Sequence, residues 1–347
     1  MTQSPEKPRI CFITTPGEIT QLKSGYGDPR QISPGLINIA DVAVVRMDKA
    51  RFVDPKTVAE AVYSRLDRYD GFVVTAGKED LQILAPRLSF ALGPNLDKTV
   101  AVTSSNIPAS FVHSGARERL VRAAMVAGAP FKEVVIAFDE LAVRGTSSQV
   151  GFKGSVNLLA YNSYYEDGHL GKITALGLEI NHVRKSESGI VNLLPDINNN
   201  VVSFGITPGT EPELIEPLTE GKSGVIFSTD GKALPSQDPY SLFPLARRLI
   251  EKGIPILVAN TVRDATLGIQ AHYMEESAVE ELGGIVVRNM NFMVATTKFC
   301  WVLSRVAEEV ANGKIPLERK IARVKQWMET PYVGEFGIRR PFNAIQA

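Results

Sequence analysis

Short apolar runs rich in Val and Ile recur along the chain without polar alternation: Ile10–Thr15, Phe72–Thr75, Val100–Thr103, Val134–Phe138, Val225–Ser228, Ile256–Asn260 and Ile285–Val287. Runs of this kind are the mark of strands buried on both faces of a parallel sheet. Between them the apolar period lengthens to that of a helix. Val58, Ala61, Val62 and Leu66 form one stripe, and Leu81, Leu84, Ala85, Leu88 and Leu92 form another. Pro86 lies inside the second stripe and predicts a kink or a displaced helix start. Val294 to Val310 is the clearest late helix. Strand-helix alternation over this length predicts an α/β fold with a mostly parallel sheet.

The stretch 186–200 interrupts the alternation with Ser186, Ser188, Gly189, Pro195 and three successive Asn residues. It reads as a connector between two domains, 8–185 and 201–347. A length of 347 residues agrees with two cores rather than one.

Composition removes several functional classes. With 38 basic and 38 acidic residues the formal charge is zero, so nothing favours nucleic acid or an anionic membrane as partner. Two cysteines, Cys11 and Cys300, are too few for a disulfide scaffold or a thiolate metal site. The first residues show no apolar signal region and no run approaches the ~20 residues of a membrane span, so the expectation is a cytoplasmic protein. Low net charge leaves little repulsion between copies, and a homo-oligomer is expected.

Four motifs carry less than they promise. Gly25-Tyr26-Gly27 lacks the third glycine of a dinucleotide fingerprint and is followed by Pro29. Gly145 to Lys153 has the wrong spacing for a phosphate loop. His113, His169, His182 and His272 show no metal-ligand spacing, and no Gly-x-Ser-x-Gly elbow exists. Neither a metal nor a cofactor is expected.

Ligands of open parallel sheets bind at the carboxyl ends of the strands. Here those ends carry Thr14-Thr15-Pro16-Gly17-Glu18-Ile19, Asp48-Lys49, Thr75-Ala76-Gly77-Lys78-Glu79-Asp80 and Thr103-Ser104-Ser105-Asn106-Ile107-Pro108. Four polar tips converging on one pocket predict a site for a small polar molecule.

The order of these segments resembles the asparaginase/glutaminase family, including the asparaginase-like subunit of a tRNA-dependent amidotransferase. Thr14 to Ile19 resembles Thr-Thr-Gly-Gly-Thr-Ile, Tyr69 to Thr75 resembles Tyr-Asp-Gly-hydrophobic-Thr, and Leu88-Ser89-Phe90 resembles Leu-Ser-Phe. Ser114 to Leu120 is similar to Ser-Asp-Ala-Arg-x-Asn-Leu, and Arg144-Gly145 to the family's Arg-Gly. In the second half, Gly253 to Ile256, Tyr273, and Asn289 through Ala295, Lys298 and Trp301 continue the likeness, which spans roughly Arg9 to Arg305.

The resemblance implies a larger N-terminal and a smaller C-terminal α/β domain, dimers or tetramers, and a mobile loop over the site at about Ile19 to Pro34. It also implies two nucleophilic threonines, an Asp–Lys pair and a substrate-binding serine. At those positions this sequence has Glu18, Lys78, Glu79 for the aspartate, Val150 or Gln149 for the lysine, and Lys49 for the serine. Tyr26 lies near the family's loop tyrosine.

A threonine exchanged for lysine loses its hydroxyl nucleophile. The expected catalytic set is therefore Lys78, Glu18, Glu79 and Tyr26, with Lys49, Thr15, Asp48, Ser104, Ser105 and Asn106 around the substrate. Hydrolysis by activated water and elimination both fit an amide or amino-acid-like substrate. The competing reading is a binding or pseudo-enzyme subunit. A further C-domain tip, Asp230 and Lys232 before Pro235, reads as a solvated turn.

Overall fold

The computed structural model describes residues 6–47, 53–153, 158–163, 166–174, 176–184, 189–207, 209–229, 241–260, 278–287 and 289–337. Residues up to Pro195, joined by the segment from Tyr332, form one compact unit, and Asp196–Pro331 forms another. The chain from Tyr332 groups with the first unit instead of staying with the second as the 201–347 assignment has it.

The first unit is built on an eight-stranded sheet of order β8-β7-β6-β5-β4-β3-β1-β2. Its strands are β1 (Arg9–Thr14), β2 (Asp41–Arg46), β3 (Gly71–Thr75), β4 (Thr99–Thr103), β5 (Val134–Phe138), β6 (Leu141–Arg144), β7 (His169–Thr174) and β8 (Gly177–Ile180). The pairings from β2 through β5 are parallel. Those of β5 with β6, β6 with β7 and β7 with β8 are antiparallel.

The buried strands owe their position to β-branched residues that alternate between two cores. Ile13, Val74, Val102 and Ile136 pack in one core with Val58, Leu84 and Leu88. Those three belong to helices α1 (Pro55–Tyr63) and α2 (Leu81–Leu92). Phe12, Val73, Ala101 and Val135 pack in the other core with Leu120, Ala123 and Ala127 of helix α3 (Ala116–Ala127). Each fully buried aliphatic side chain contributes about 1.5–3 kcal/mol.

The local signals are satisfied. Asp54 caps α1 by accepting from the Lys56 N–H at 3.0 Å, with Pro55 at the first helical position. Pro86 lies inside α2, whose start at Leu81 is not displaced. Gly71 opens β3 where a Cβ would stand 2.0 Å from the Ala127 carbonyl, so only glycine lets the strand meet the end of α3.

The second unit holds a four-stranded parallel sheet: β9 (Val201–Gly205), β10 (Gly224–Thr229), β11 (Ile256–Asn260) and β12 (Ile285–Val286). Its core joins Val225, Phe227, Ile256 and Val258 to Leu245 and Leu249 of α4 (Phe243–Glu251). Helix α5 (Phe292–Ala311) starts just ahead of its apolar stripe, because the Asn291 side chain caps it by accepting from the Val294 N–H at 2.9 Å.

Lys298 of α5 is fully buried. Its Nζ donates to the carbonyls of Met328 and Thr330 at 3.2 and 2.7 Å, at the end of α6 (Lys320–Glu329). This lysine serves carbonyls that the helix itself leaves open. Trp301 and Trp327 meet edge to face at 5.6 Å between ring centroids. Among the described residues, no helix is long and apolar enough to cross a membrane.

Candidate functional site

The carboxyl ends of β1, β3 and β4 lie side by side, with Thr14, Thr75 and Thr103 in one register row. The chain leaving β1 is stitched to the end of β3. Thr15 donates both its N–H, at 3.2 Å, and its Oγ1, at 2.7 Å, to the Thr75 carbonyl. Gly17 then passes so close to the Ala76 carbonyl that a Cβ there would stand 2.3 Å from its oxygen. A side chain at position 17 would push this crossing apart.

That crossing delivers Glu18, at the start of a short 3₁₀ turn over Glu18–Thr20, to the Lys78 segment. Glu18 Oε2 accepts from the Lys78 backbone N–H at 3.1 Å. The Lys78 side chain extends to the third tip, where Nζ donates to the Asn106 carbonyl at 3.2 Å. Glu18 and Lys78 are both half-buried. Three of the four sequence-predicted tips therefore meet at Glu18, Lys78 and Asn106. Asp48 and Lys49, the fourth, lie outside the described residues, as do Asp230, Lys232, Pro235 and Tyr273.

Three of the expected binding residues have a different job. The Thr15 hydroxyl is committed to Thr75. Ser104 Oγ donates to the Ala76 carbonyl at 2.7 Å and Ser105 Oγ to the Ile107 carbonyl at 2.6 Å, and both serines are fully buried. These hydroxyls fasten the β4 tip, as serines in tight turns commonly do. Glu79 is exposed, so the carboxylate expected to stand beside Lys78 is open to solvent rather than enclosed in the cluster.

The loop over the site is folded. Gln21–Leu22 and Gly25–Tyr26 form a small antiparallel hairpin. Its base is tied by Ala109 N–H to the Glu18 carbonyl at 2.8 Å and by Ser110 N–H to the Gln21 carbonyl at 3.0 Å. Arg46 Nη2 holds the Tyr26 carbonyl at 2.7 Å, and Tyr26 itself is half-buried. Beyond the hairpin, Asp28 accepts from the Arg30 N–H at 2.8 Å and from its guanidinium, which holds the Asp28 carboxyl below the usual range.

Two residues of the same tip were not singled out by sequence reasoning. Asp80 immediately precedes α2; the residue is exposed, yet partial desolvation of its carboxyl together with the neighbouring Glu79 carboxylate pushes it above the usual aspartate value. Thr75 is fully buried, and its Oγ1 has no hydrogen-bond partner among the described residues. An unpaired buried hydroxyl costs about 1–3 kcal/mol. Asp80 could have been read from its place in a run of three charged residues; no sequence signal marks the Thr75 hydroxyl as unpaired. The buried thiol of Cys11 is pushed up to about 11, which leaves little thiolate at neutral pH and removes it as a nucleophile. Among the described residues no group of three or more His, Cys, Asp or Glu side chains could hold a metal ion.

A second charged cluster lies at the opposite end of the sheet. Arg144 Nε meets Glu133 Oε2 at 2.8 Å and its Nη1 meets Asp167 Oδ2 at 3.1 Å. Glu133, just before β5, is almost fully buried, and Arg144 pairs in register with Val135 at the start of that strand.

Residues 35–184 match the family model described as asparaginase, N-terminal. An L-asparaginase of Thermococcus kodakarensis is 26% identical over 268 residues, covering 77% of this chain and 79% of that protein. A glutamyl-tRNA(Gln) amidotransferase subunit of Aeropyrum pernix is 26% identical over 266 residues, covering 72% of this chain and 61% of that protein. The solved thermostable L-asparaginase from Thermococcus kodakarensis superposes with a TM-score of 0.77 at 22% identity, over 95% of this chain and all of that one, a likeness of fold.

Proposed function

We propose that this asparaginase-like chain is a hydrolase of small polar amides whose chemistry runs through Glu18 and Lys78. The observation that carries the proposal is the 3.1 Å contact that brings the Glu18 carboxylate to Lys78 at the carboxyl end of the central strands. In the family pattern these two positions hold the threonine nucleophiles. Glu18 and Lys78 have no hydroxyl, so the nucleophile in this reading is water.

The Glu18 carboxylate removes a proton from the water as its oxygen bonds to the amide carbon. The Lys78 ammonium faces the negative charge that develops on the carbonyl oxygen. The carbon–nitrogen bond then breaks, the electron pair leaves with nitrogen, and Glu18 returns the proton to it. Water and amide are consumed; a carboxylic acid and an amine or ammonia form. Tyr26 closes the site from the hairpin, and the Asn106 loop borders the substrate. The protein is further proposed to act as a homo-oligomer in the cytoplasm.

One observation favours a second reading, binding without turnover: Lys78 Nζ already has an acceptor in the Asn106 carbonyl. Ammonia release from L-asparagine, L-glutamine, succinamate and other small primary amides separates the two. The hydrolase reading expects turnover on at least one of them and a loss of about 10²–10⁴-fold in Glu18→Gln. Measurable affinity without ammonia release across the panel supports the binding reading instead.

A further inference from the structure

Four buried side-chain atoms have no hydrogen-bond partner among the described residues: Thr75 Oγ1, Thr146 Oγ1, Arg119 Nη1 and Arg305 Nε. The two arginines bond through their other nitrogens, Arg119 to Asp139 and Arg305 to Glu308. Thr146 follows Gly145, whose N–H donates to the Val134 carbonyl at the amino end of β5, away from the tips. Thr75 alone combines a fully buried unpaired hydroxyl with a place at the end of the central strand, three residues before Lys78.

The alternation along β3 fixes which way this hydroxyl faces. Val74 packs in the core under α1 and α2, whereas Val73 packs in the core under α3. Thr75 therefore shares the α3 side, the side on which Ile19 and Ala116 are buried. Ile19 directly follows Glu18 in the same 3₁₀ turn. On the β4 side of the register row, Thr103 does not take up the hydroxyl, because its Oγ1 is spent on the Ala137 carbonyl at 2.7 Å. Thr15 binds the Thr75 carbonyl and leaves its hydroxyl alone.

Buried hydroxyls are almost always paired, with protein or with ordered water. We infer that Thr75 is a positioning residue whose hydroxyl anchors a buried water beneath the Glu18 turn, and that this is the water Glu18 activates. The second half of this inference rests on the hydrolase reading above. The arrangement gives the water two fixed partners, one neutral hydroxyl below and one carboxylate above, so its oxygen is held for attack while Glu18 takes its proton.

The test pairs a crystal structure of the full chain, at a resolution that shows ordered water, with kinetics of Thr75→Val and Thr75→Ser on the best amide of the panel. The inference expects a water within hydrogen-bond reach of both Thr75 Oγ1 and the Glu18 carboxylate. It expects kcat to fall by about 10²-fold in Thr75→Val with KM nearly unchanged. Thr75→Ser should recover most of that loss, and Tm should change by no more than a few degrees in Thr75→Val. A purely structural threonine would not split kcat from KM or respond to serine. A Thr75 hydroxyl bonded to a protein group, the absence of water at that position, or wild-type kcat in Thr75→Val overturns the inference. If Thr75→Val does not fold, the wild-type crystal structure decides. If wild-type protein hydrolyses nothing, the hydrolase reading falls with the water's catalytic role, and the crystal structure still decides whether Thr75 holds a water.

Discussion

The sheet of the first unit carries charge at both ends, and the two ends hold it differently. At the Glu133 end, side chain meets side chain: Arg144 spans Glu133 and Asp167 through three of its nitrogens. At the Lys78 end, two contacts join side chain to backbone: Glu18 accepts from a peptide N–H, and Lys78 donates to a peptide carbonyl. The fully buried Thr75 hydroxyl on the same strand end has no partner among the described residues. The first arrangement sets one arginine between two carboxylates, of which Glu133 is almost fully buried. The second orients a carboxylate and an ammonium while leaving both half-buried. Paired side chains around a buried carboxylate suit a structural cluster, and oriented charge at the strand ends suits the proposed site.

The largest effect that would break this comparison is on stability. Arg144→Met should destabilise the first unit by about 3–5 kcal/mol, read from urea unfolding, because it leaves the Glu133 carboxylate buried without its partner. Adding Glu133→Gln should recover part of that loss. A loss under about 1 kcal/mol would show that the cluster is not the closed structural pair described.

A smaller effect lies in the pH dependence at Asp80. Its folded carboxyl holds a proton more tightly than the unfolded one, whose ordinary value is 3.8. The stabilisation from that proton is fully present below the unfolded value and is lost as pH rises through the raised folded value. Asp80→Asn removes this dependence, so its Tm should match wild type in acid and exceed it increasingly as pH rises across that window. A gap that is constant with pH would contradict the assignment. The smallest effect is expected at Glu79, which is exposed: Glu79→Gln should change stability by no more than about 0.5 kcal/mol.

The contrast also explains what could be read from the sequence. The strands buried on both sides announced themselves, since Val134–Phe138 and Ile256–Asn260 are uninterrupted apolar runs and fold with those bounds. His169–Thr174 and Gly177–Ile180 did not, because antiparallel strands toward a sheet edge mix exposed and buried positions and lack such runs. At the site, charge at the tips was legible and hydrogen-bond direction was not. Nothing in the letters of Ser104 and Ser105 shows that they fasten carbonyls of the same loops. Glu18 reaches Lys78 through its peptide N–H, a partner every residue offers, so no choice of side chain could reveal it. Arg144–Glu133 was missed for a related reason: eleven positions apart, the two become neighbours only through the β5–β6 hairpin.

The central claim is that Lys78 belongs to the chemistry and Arg144 to the fold. The most direct measurement is ammonia release by Lys78→Ala on the best amide of the panel, taken together with its Tm. The account predicts a loss of at least about 10²-fold in kcat, the scale of removing one oxyanion-stabilising group, with Tm within a few degrees of wild type. Turnover close to wild type, or a collapse of Tm like that expected for Arg144→Met, would contradict it.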